Sequence, residues 1–171
     1  MSQDNLRPFS GIRSFLFVPG NHPTKLAKVF TYGADAVILD LEDACADVDK
    51  VEARQTVIDV LKKPHDGKGY VRVNAIDTPY CFRDLDTVIG PWLDGIVLPK
   101  LENPEELFAV DWAITEYEKE RELPLGRIDL MPIIETAKGM KNLESLCKKP
   151  GRMKRFSFGA GDFTRDVGIK W

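Results

Sequence analysis

The feature that most restricts the fold is a series of short, unbroken apolar runs: VILDL at 37–41, GIVLP at 95–99 and LMPIIE at 130–135. A polar loop and a stretch of helical pattern follow each of them. A strand with one face in water alternates apolar and polar residues, whereas a run that stays apolar suits a parallel strand buried on both faces. The complete series places strands at Ser14–Val18, Ala36–Leu41, Tyr70–Val73, Gly95–Leu98, Leu130–Ile134 and Phe156–Phe158. Helical patterns lie between them at Thr24–Tyr32, Lys50–Lys62, Phe82–Ile89, Glu105–Arg121 and Ala137–Lys148. Strict alternation, at about 22 to 35 residues per unit, predicts a parallel α/β architecture. An open doubly wound sheet and part of a (β/α)8 barrel both satisfy that pattern.

The strand ends separate the two. PGNHP, DLEDA, RVN, PK, IETAKG and GAGDF follow the six strands in turn, so every C-terminal end carries polar or turn-forming residues. A barrel gathers all of these ends on one rim, where the active site sits, whereas a doubly wound sheet needs them only near its switch point. The expected fold is therefore α/β of the TIM (β/α)8-barrel type, with about six βα units in residues 1–171.

With 43% apolar and 30% charged residues, the chain can build one buried core, and a single domain is expected. The formal net charge of −3 and the lack of a basic stripe interleaved with aromatics exclude a nucleic-acid binder. The basic stretch from Lys148 to Arg155 reads as a solvated loop at a helix end. Cys45, Cys81 and Cys147 are odd in number and contain no CxxC pair, which argues for a reducing compartment and against a disulfide framework or zinc site. No run approaches the roughly 18 apolar residues of a membrane span, and no signal-like leader opens the chain, so a cytoplasmic location without membrane partners is expected.

Glu135 and Asp162 are carboxylates at the ends of neighbouring strands. Two carboxylates with waters and substrate oxygens is how a hard divalent ion such as Mg²⁺ is commonly held, although each acid could instead cap the helix that follows it. Arg72, flanked by valines, requires a carboxylate partner if buried, and Asp40 and Glu42 on one face of LDLED are the candidates. The same guanidinium could clamp a substrate carboxylate or carbonyl. Lys100 is expected to ion-pair with these acids. His22 and Lys28 lie in or beyond a turn without P-loop spacing, and the two histidines assemble no nucleophilic triad.

Taken in order, RSFLFVPGN, GADAVILDLEDA, VRVNAIDTP, GIVLPKLE, IIETAKGMKN and FSFGAGDFTRDVGI resemble the citrate lyase beta-subunit-like family, also called the HpcH/HpaI aldolase superfamily, over residues 13–169. The resemblance implies an Mg²⁺-dependent carbon–carbon lyase, with Mn²⁺ as a substitute ion, acting on a 3-hydroxyacyl-CoA of the citryl-, citramalyl- or malyl-CoA type. It implies Glu135 and Asp162 as metal ligands and Arg72, Glu42 and Asp40 as catalytic residues. Arg72, Phe17, Lys28, Gly159, Ala160 and Gly161 are the implied substrate-binding set, with His22 standing where several members carry Arg. A metal-dependent aldolase of free 2-keto acids is the alternative, and an inactive fragment serving as a binding or assembly module is another. Members run to nearly twice this length and form homo-oligomers, trimers or hexamers, so the chain is expected to lack the C-terminal strands, the lid and a general base carried there.

Overall fold

The computed structural model describes residues 11–148 and 151–170. Six strands run through them: β1 (Phe15–Pro19), β2 (Ala36–Asp40), β3 (Lys68–Arg72), β4 (Gly95–Leu98), β5 (Asp129–Ile134) and β6 (Ser157–Phe158). Helices α1 (Pro23–Leu26), α2 (Lys50–Leu61), α3 (Cys81–Val88), α4 (Pro104–Glu120), α5 (Ala137–Lys141), α6 (Leu143–Cys147) and α7 (Ala160–Asp166) occupy the connections and the end of the chain. All strand pairs are parallel and the sheet order is β1-β2-β3-β4-β5-β6. A doubly wound sheet reverses its strand order at a switch point, and this one never does. The sheet is a curled half-barrel with open edges at β1 and β6, not a closed barrel.

The two faces of the sheet bury different things. Val37, Leu39, Val71, Ile96, Leu98, Leu130 and Ile134 face outward into the main core, against helix residues such as Val57, Leu85, Val110 and Ile114. Ala36, Ile38, Tyr70, Val97, Met131 and Ile133 form a second cluster on the inner face, closed over by Ile12 and Phe15. Burial on both sides accounts for the unbroken apolar character of the runs. The register sets Asp40 directly beside Arg72 at the C-terminal ends of β2 and β3.

Two expected helices are broken. Residues 24–32 divide into α1 and a 3-10 turn, Val29–Tyr32, ended by Gly33 at φ 74. The run Val29-Phe30-Thr31-Tyr32 is β-branched and aromatic, hence weakly helix-forming. Residues 137–148 divide at Asn142, whose side chain donates to the Glu102 carbonyl at 2.9 Å and ties the break to the β4–α4 loop. By contrast α4 keeps its expected span, begun by Pro104 at its first turn and by Glu106 accepting from the Asn103 N–H at 3.1 Å.

The basic stretch is not simply a solvated loop. Lys149 and Pro150 lie outside the described residues, but Arg152 is buried and donates to Asp111 at 2.5 Å, to both Glu118 oxygens at 3.0 Å and to the Ile128 carbonyl at 2.7 Å. It pins the segment leading into β6 onto α4. Burial alone would raise the pKa of Glu118, but Arg152 and the backbone N–H groups of Ile128 and Gly126 hold it below the ordinary carboxylate value.

Candidate active site

Parallel register makes the first half of the site. Arg72 Nε and Nη2 donate to Asp40 Oδ1 and Oδ2 at 2.7 and 2.6 Å, a two-pronged pairing. The same Asp40 oxygens accept from the N–H groups of Glu42 at 2.9 Å and Ala44 at 3.2 Å. With both oxygens engaged, Asp40 orients Arg72 and shapes its own loop. The third nitrogen, Nη1, lies 2.9 Å from Glu42 Oε2 in an ion pair that lacks hydrogen-bond alignment, so this buried oxygen keeps open acceptor capacity. Glu42 Oε1 accepts from Lys100 Nζ, and exposed Asp43 lies 3.9 Å from Arg72 and 3.7 Å from Lys100. The Phe17 ring centroid is 5.3 Å from Arg72 Cζ, so an aromatic face covers the guanidinium from β1.

Charge follows from this packing. Burial disfavours a charged Arg72, yet Asp40 and Glu42 more than reverse the effect and raise its pKa above the usual value. Glu42 is shifted upward, chiefly by burial, against the pull of Lys100 and Arg72. Lys100 is held above its usual value because Glu42 outweighs the cost of its burial.

The second half lies on β5 and α7. Glu135 follows β5, is 3% exposed, and accepts from the Lys100 backbone N–H at 2.8 Å. Lys100 makes that donation from a left-handed backbone at φ 51, uncommon for a residue with a side chain. Its backbone thus serves Glu135 while its ammonium serves Glu42. Burial pushes the Glu135 carboxyl up to about 7, with Asp162 and Glu42 adding repulsion and Lys100 and Arg72 opposing it. Asp162 sits in the first turn of α7, with Arg165 3.3 Å away. Gly159 lets α7 come this close: a Cβ there would stand 2.5 Å from Glu135 Oε2 and 2.6 Å from its Cβ.

The donor set fits a hard divalent cation. A buried carboxylate kept partly protonated by a second carboxylate and by desolvation gains most from a nearby positive charge. Among the described residues no three His, Cys, Asp or Glu side chains form a ready-made cage. Two carboxylates that leave positions for water and substrate oxygens suit Mg²⁺ better than a site closed by protein ligands alone.

Arg72, Asp40, Glu42 and Phe17 thus form one cluster, joined through Lys100 to Glu135 and, by charge, to Asp162. Gly159, Ala160 and Gly161 form the cap and first turn of α7 beside Glu135. Lys28 and His22 are exposed, and among the described residues none of their hydrogen bonds or ion pairs reaches the cluster. A cavity of about 700 Å³ runs along the open edge of β1 past Phe15, Phe17 and Tyr32 rather than over Glu135. Sequence reasoning did not single out Lys50 or Asn74, both buried beneath the cluster. RVN was noted as a strand-end motif, but only the fold shows what its Asn contacts.

The family model described as HpcH/HpaI aldolase/citrate lyase matches residues 13–171. The chain belongs to this family. Within it, the citrate lyase subunit beta of Leuconostoc mesenteroides subsp. cremoris is 33% identical over 169 residues, covering 98% of this chain and 54% of that protein. The L-malyl-CoA/beta-methylmalyl-CoA lyase of Cereibacter sphaeroides is 36% identical over 166 residues, covering 92% and 51%. The HpcH/HpaI chain described here therefore spans about half the length of the curated relatives it matches. Among solved structures, the citrate lyase beta subunit of M. tuberculosis complexed with oxaloacetate and magnesium superposes with a TM-score of 0.72 at 28% identity, over 92% of this chain and 62% of that one. A malate synthase of Haloferax volcanii reaches a TM-score of 0.80 at 22% identity, over 96% and 54%, which is a likeness of fold.

Proposed function

We propose that this chain carries the metal-binding and enolate-stabilising part of an Mg²⁺-dependent carbon–carbon lyase acting on a 3-hydroxyacyl-CoA of the citryl-, citramalyl- or malyl-CoA type. The observation that supports it most is the convergence of Glu135, desolvated and pressed by a second carboxylate, with an Arg72 guanidinium locked by Asp40 and Glu42. Glu135 and Asp162 would hold Mg²⁺, which supplies Lewis-acid polarisation of substrate oxygens.

The chain's own residues supply part of the rest. Cleavage requires transfer of the substrate hydroxyl proton to a general base, a role that none of the residues named above fills, scission of the bond between the hydroxyl-bearing carbon and its neighbour, and movement of that electron pair onto the thioester oxygen. Arg72, already held in place, offers a fixed positive charge to that oxygen without reorganisation. The Lys100 ammonium, paired with Glu42 Oε1 on the far side of Arg72's own ion pair with Glu42, adds a second positive charge to the site. Phe17 keeps water off one face of the guanidinium.

A second reading, a metal-dependent aldolase of free 2-keto acids, draws support from the M. tuberculosis relative, whose structures hold oxaloacetate and pyruvate with magnesium. Among the described residues, His22 and Lys28 are exposed and unconnected to the cluster, so they build no cationic anchor for a thioester there. We also propose that residues 1–171 form the first part of a barrel whose remaining strands would close against the open edges of β1 and β6.

Calorimetric titration tests both readings. The chain should bind Mg²⁺ and then malyl-CoA, with both heats lost in Glu135→Ala and Asp162→Ala; indifference of the unaltered chain to both ligands refutes the proposal. Oxaloacetate binding without thioester binding selects the second reading.

A further inference from the structure

Beneath the cluster lies a buried polar layer that the proposed chemistry does not use. Asp84 of α3 is fully buried and accepts from Arg54 Nε of α2 at 2.7 Å, from the Asn74 N–H at 2.9 Å and from Asn74 Nδ2 at 2.6 Å. Asn74 Nδ2 also donates to the Leu41 carbonyl at 3.0 Å. Buried Lys50 donates through Nζ to the Leu41 and Glu42 carbonyls, both at 2.9 Å. The Leu41 N–H in turn donates to the Arg72 carbonyl at 2.9 Å.

The placement of these bonds is what matters. Leu41 lies between the two carboxylates that grip Arg72, and Asn74 lies two residues after Arg72 on the same chain. One residue therefore joins both halves of the clamp: the end of β3 through its backbone N–H to Asp84, and the Asp40–Glu42 loop through its side chain to the Leu41 carbonyl. Burying an ammonium, a guanidinium, a carboxylate and an amide here costs desolvation that apolar side chains of the same volume would not incur. A core needed only for packing has no use for them. A loop whose two carboxylates must meet one guanidinium within tenths of an ångström does.

We propose that Asn74, braced by Asp84 and Arg54 and assisted by Lys50, is a positioning residue that sets Arg72 against Asp40 and Glu42 for an anionic oxo-acid ligand. The assignment rests on the functional reading above. It makes a split prediction, because Glu135 and Asp162 lie outside the layer.

The test compares the unaltered chain, Asn74→Ala, Lys50→Met and, as a core control on α4 that makes none of the layer's hydrogen bonds, Ile114→Val. Each is titrated with Mg²⁺ alone and then with oxaloacetate at saturating Mg²⁺, well below its melting temperature. Asn74→Ala and Lys50→Met should keep Mg²⁺ affinity within twofold and lose oxaloacetate affinity by roughly 10- to 100-fold, in line with one to two charge-assisted contacts displaced. Ile114→Val should change neither. Using two layer variants keeps the test open if one fails to fold, since they remove different donors from the same carbonyl. Unchanged oxaloacetate affinity in the layer variants, or an equal loss in Ile114→Val, overturns the positioning role alone. An unaltered chain that binds Mg²⁺ but neither oxaloacetate nor malyl-CoA overturns the functional reading and this inference with it.

Discussion

Replacing Glu135 by Gln should make the metal-free protein more stable at pH 8 while removing its response to Mg²⁺. Glu135 is 3% exposed, and its carboxyl is pushed from an ordinary 4.5 to about 7 by burial first, then by Asp162 and Glu42, against Lys100 and Arg72. The folded state therefore holds this proton more tightly than the unfolded chain. Below pH 4.5 both states are protonated and the group is neutral for stability. Between 4.5 and about 7 the unfolded chain has released its proton while the folded one keeps it, so stability falls across that window, and the loss is complete once the folded carboxyl also ionises above pH 7. The displacement corresponds to about 3 kcal/mol, an upper figure because Glu135 titrates together with its neighbours. Gln keeps the oxygen that accepts from the Lys100 N–H and carries no charge, so its stability should be flat across the same window. Urea unfolding followed by tryptophan fluorescence between pH 4.5 and 8 would show the two proteins alike at the acid end and diverging by roughly 1–3 kcal/mol at pH 8. Adding Mg²⁺ at tenfold its dissociation constant should return about 1.4 kcal/mol to the unaltered protein and nothing to the variant. Parallel pH curves, or a Gln variant less stable at pH 8, would refute the account of Glu135 as a desolvated ligand waiting for a cation.

Other substitutions probe the remaining parts. Arg72→Lys loses the two-pronged pairing with Asp40 and the Nη1 ion pair with Glu42, which keeps only Lys100, so oxaloacetate binding in Mg²⁺ should weaken at least 100-fold by calorimetry while Mg²⁺ binding persists. Gly159→Ala drives a methyl to 2.5 Å from Glu135 Oε2, which should cost about 1–3 kcal/mol of stability in denaturant titration and displace Glu135 enough to lower Mg²⁺ affinity. Arg152→Met leaves buried Glu118 and half-buried Asp111 without their cation and should destabilise by about 3–5 kcal/mol at pH 7. Because the folded Glu118 carboxyl is held below its ordinary value, the stability it contributes with Arg152 is present above that value and lost as pH falls through the lowered one. The Arg152→Met penalty should accordingly shrink in acid, and a pH-independent penalty would contradict the ion-pair account.

Much of this was open to reading along the chain because two of the patterns are local. Unbroken runs such as VILD and GIVL are apolar for both faces at once, so strand positions and parallel pairing follow from hydrophobic periodicity, with boundaries within one or two residues. Carboxylates placed just past such runs, Glu135 and Asp162, advertise themselves for the same reason. Helix breaks were harder. Asn142 interrupts its helix by bonding the Glu102 carbonyl forty residues away, and Arg152 looked solvated because its partners Asp111, Glu118 and Ile128 belong to other elements. Local composition cannot price a bond whose other end is remote in sequence.

The sequence by itself determined the alternation of strand and helix, the parallel sheet, the six polar strand ends and the membership of an aldolase and citrate lyase family, because each is written in residue type and short-range spacing. Only the tertiary structure decided which of those polar residues touch. Register put Asp40 beside Arg72, a left-handed Lys100 turned its N–H to Glu135 and its ammonium to Glu42, and Asn74 joined the two loops from beneath. Such contacts depend on strand register and helix packing within tenths of an ångström, which is information carried by the whole fold and by no single stretch of it.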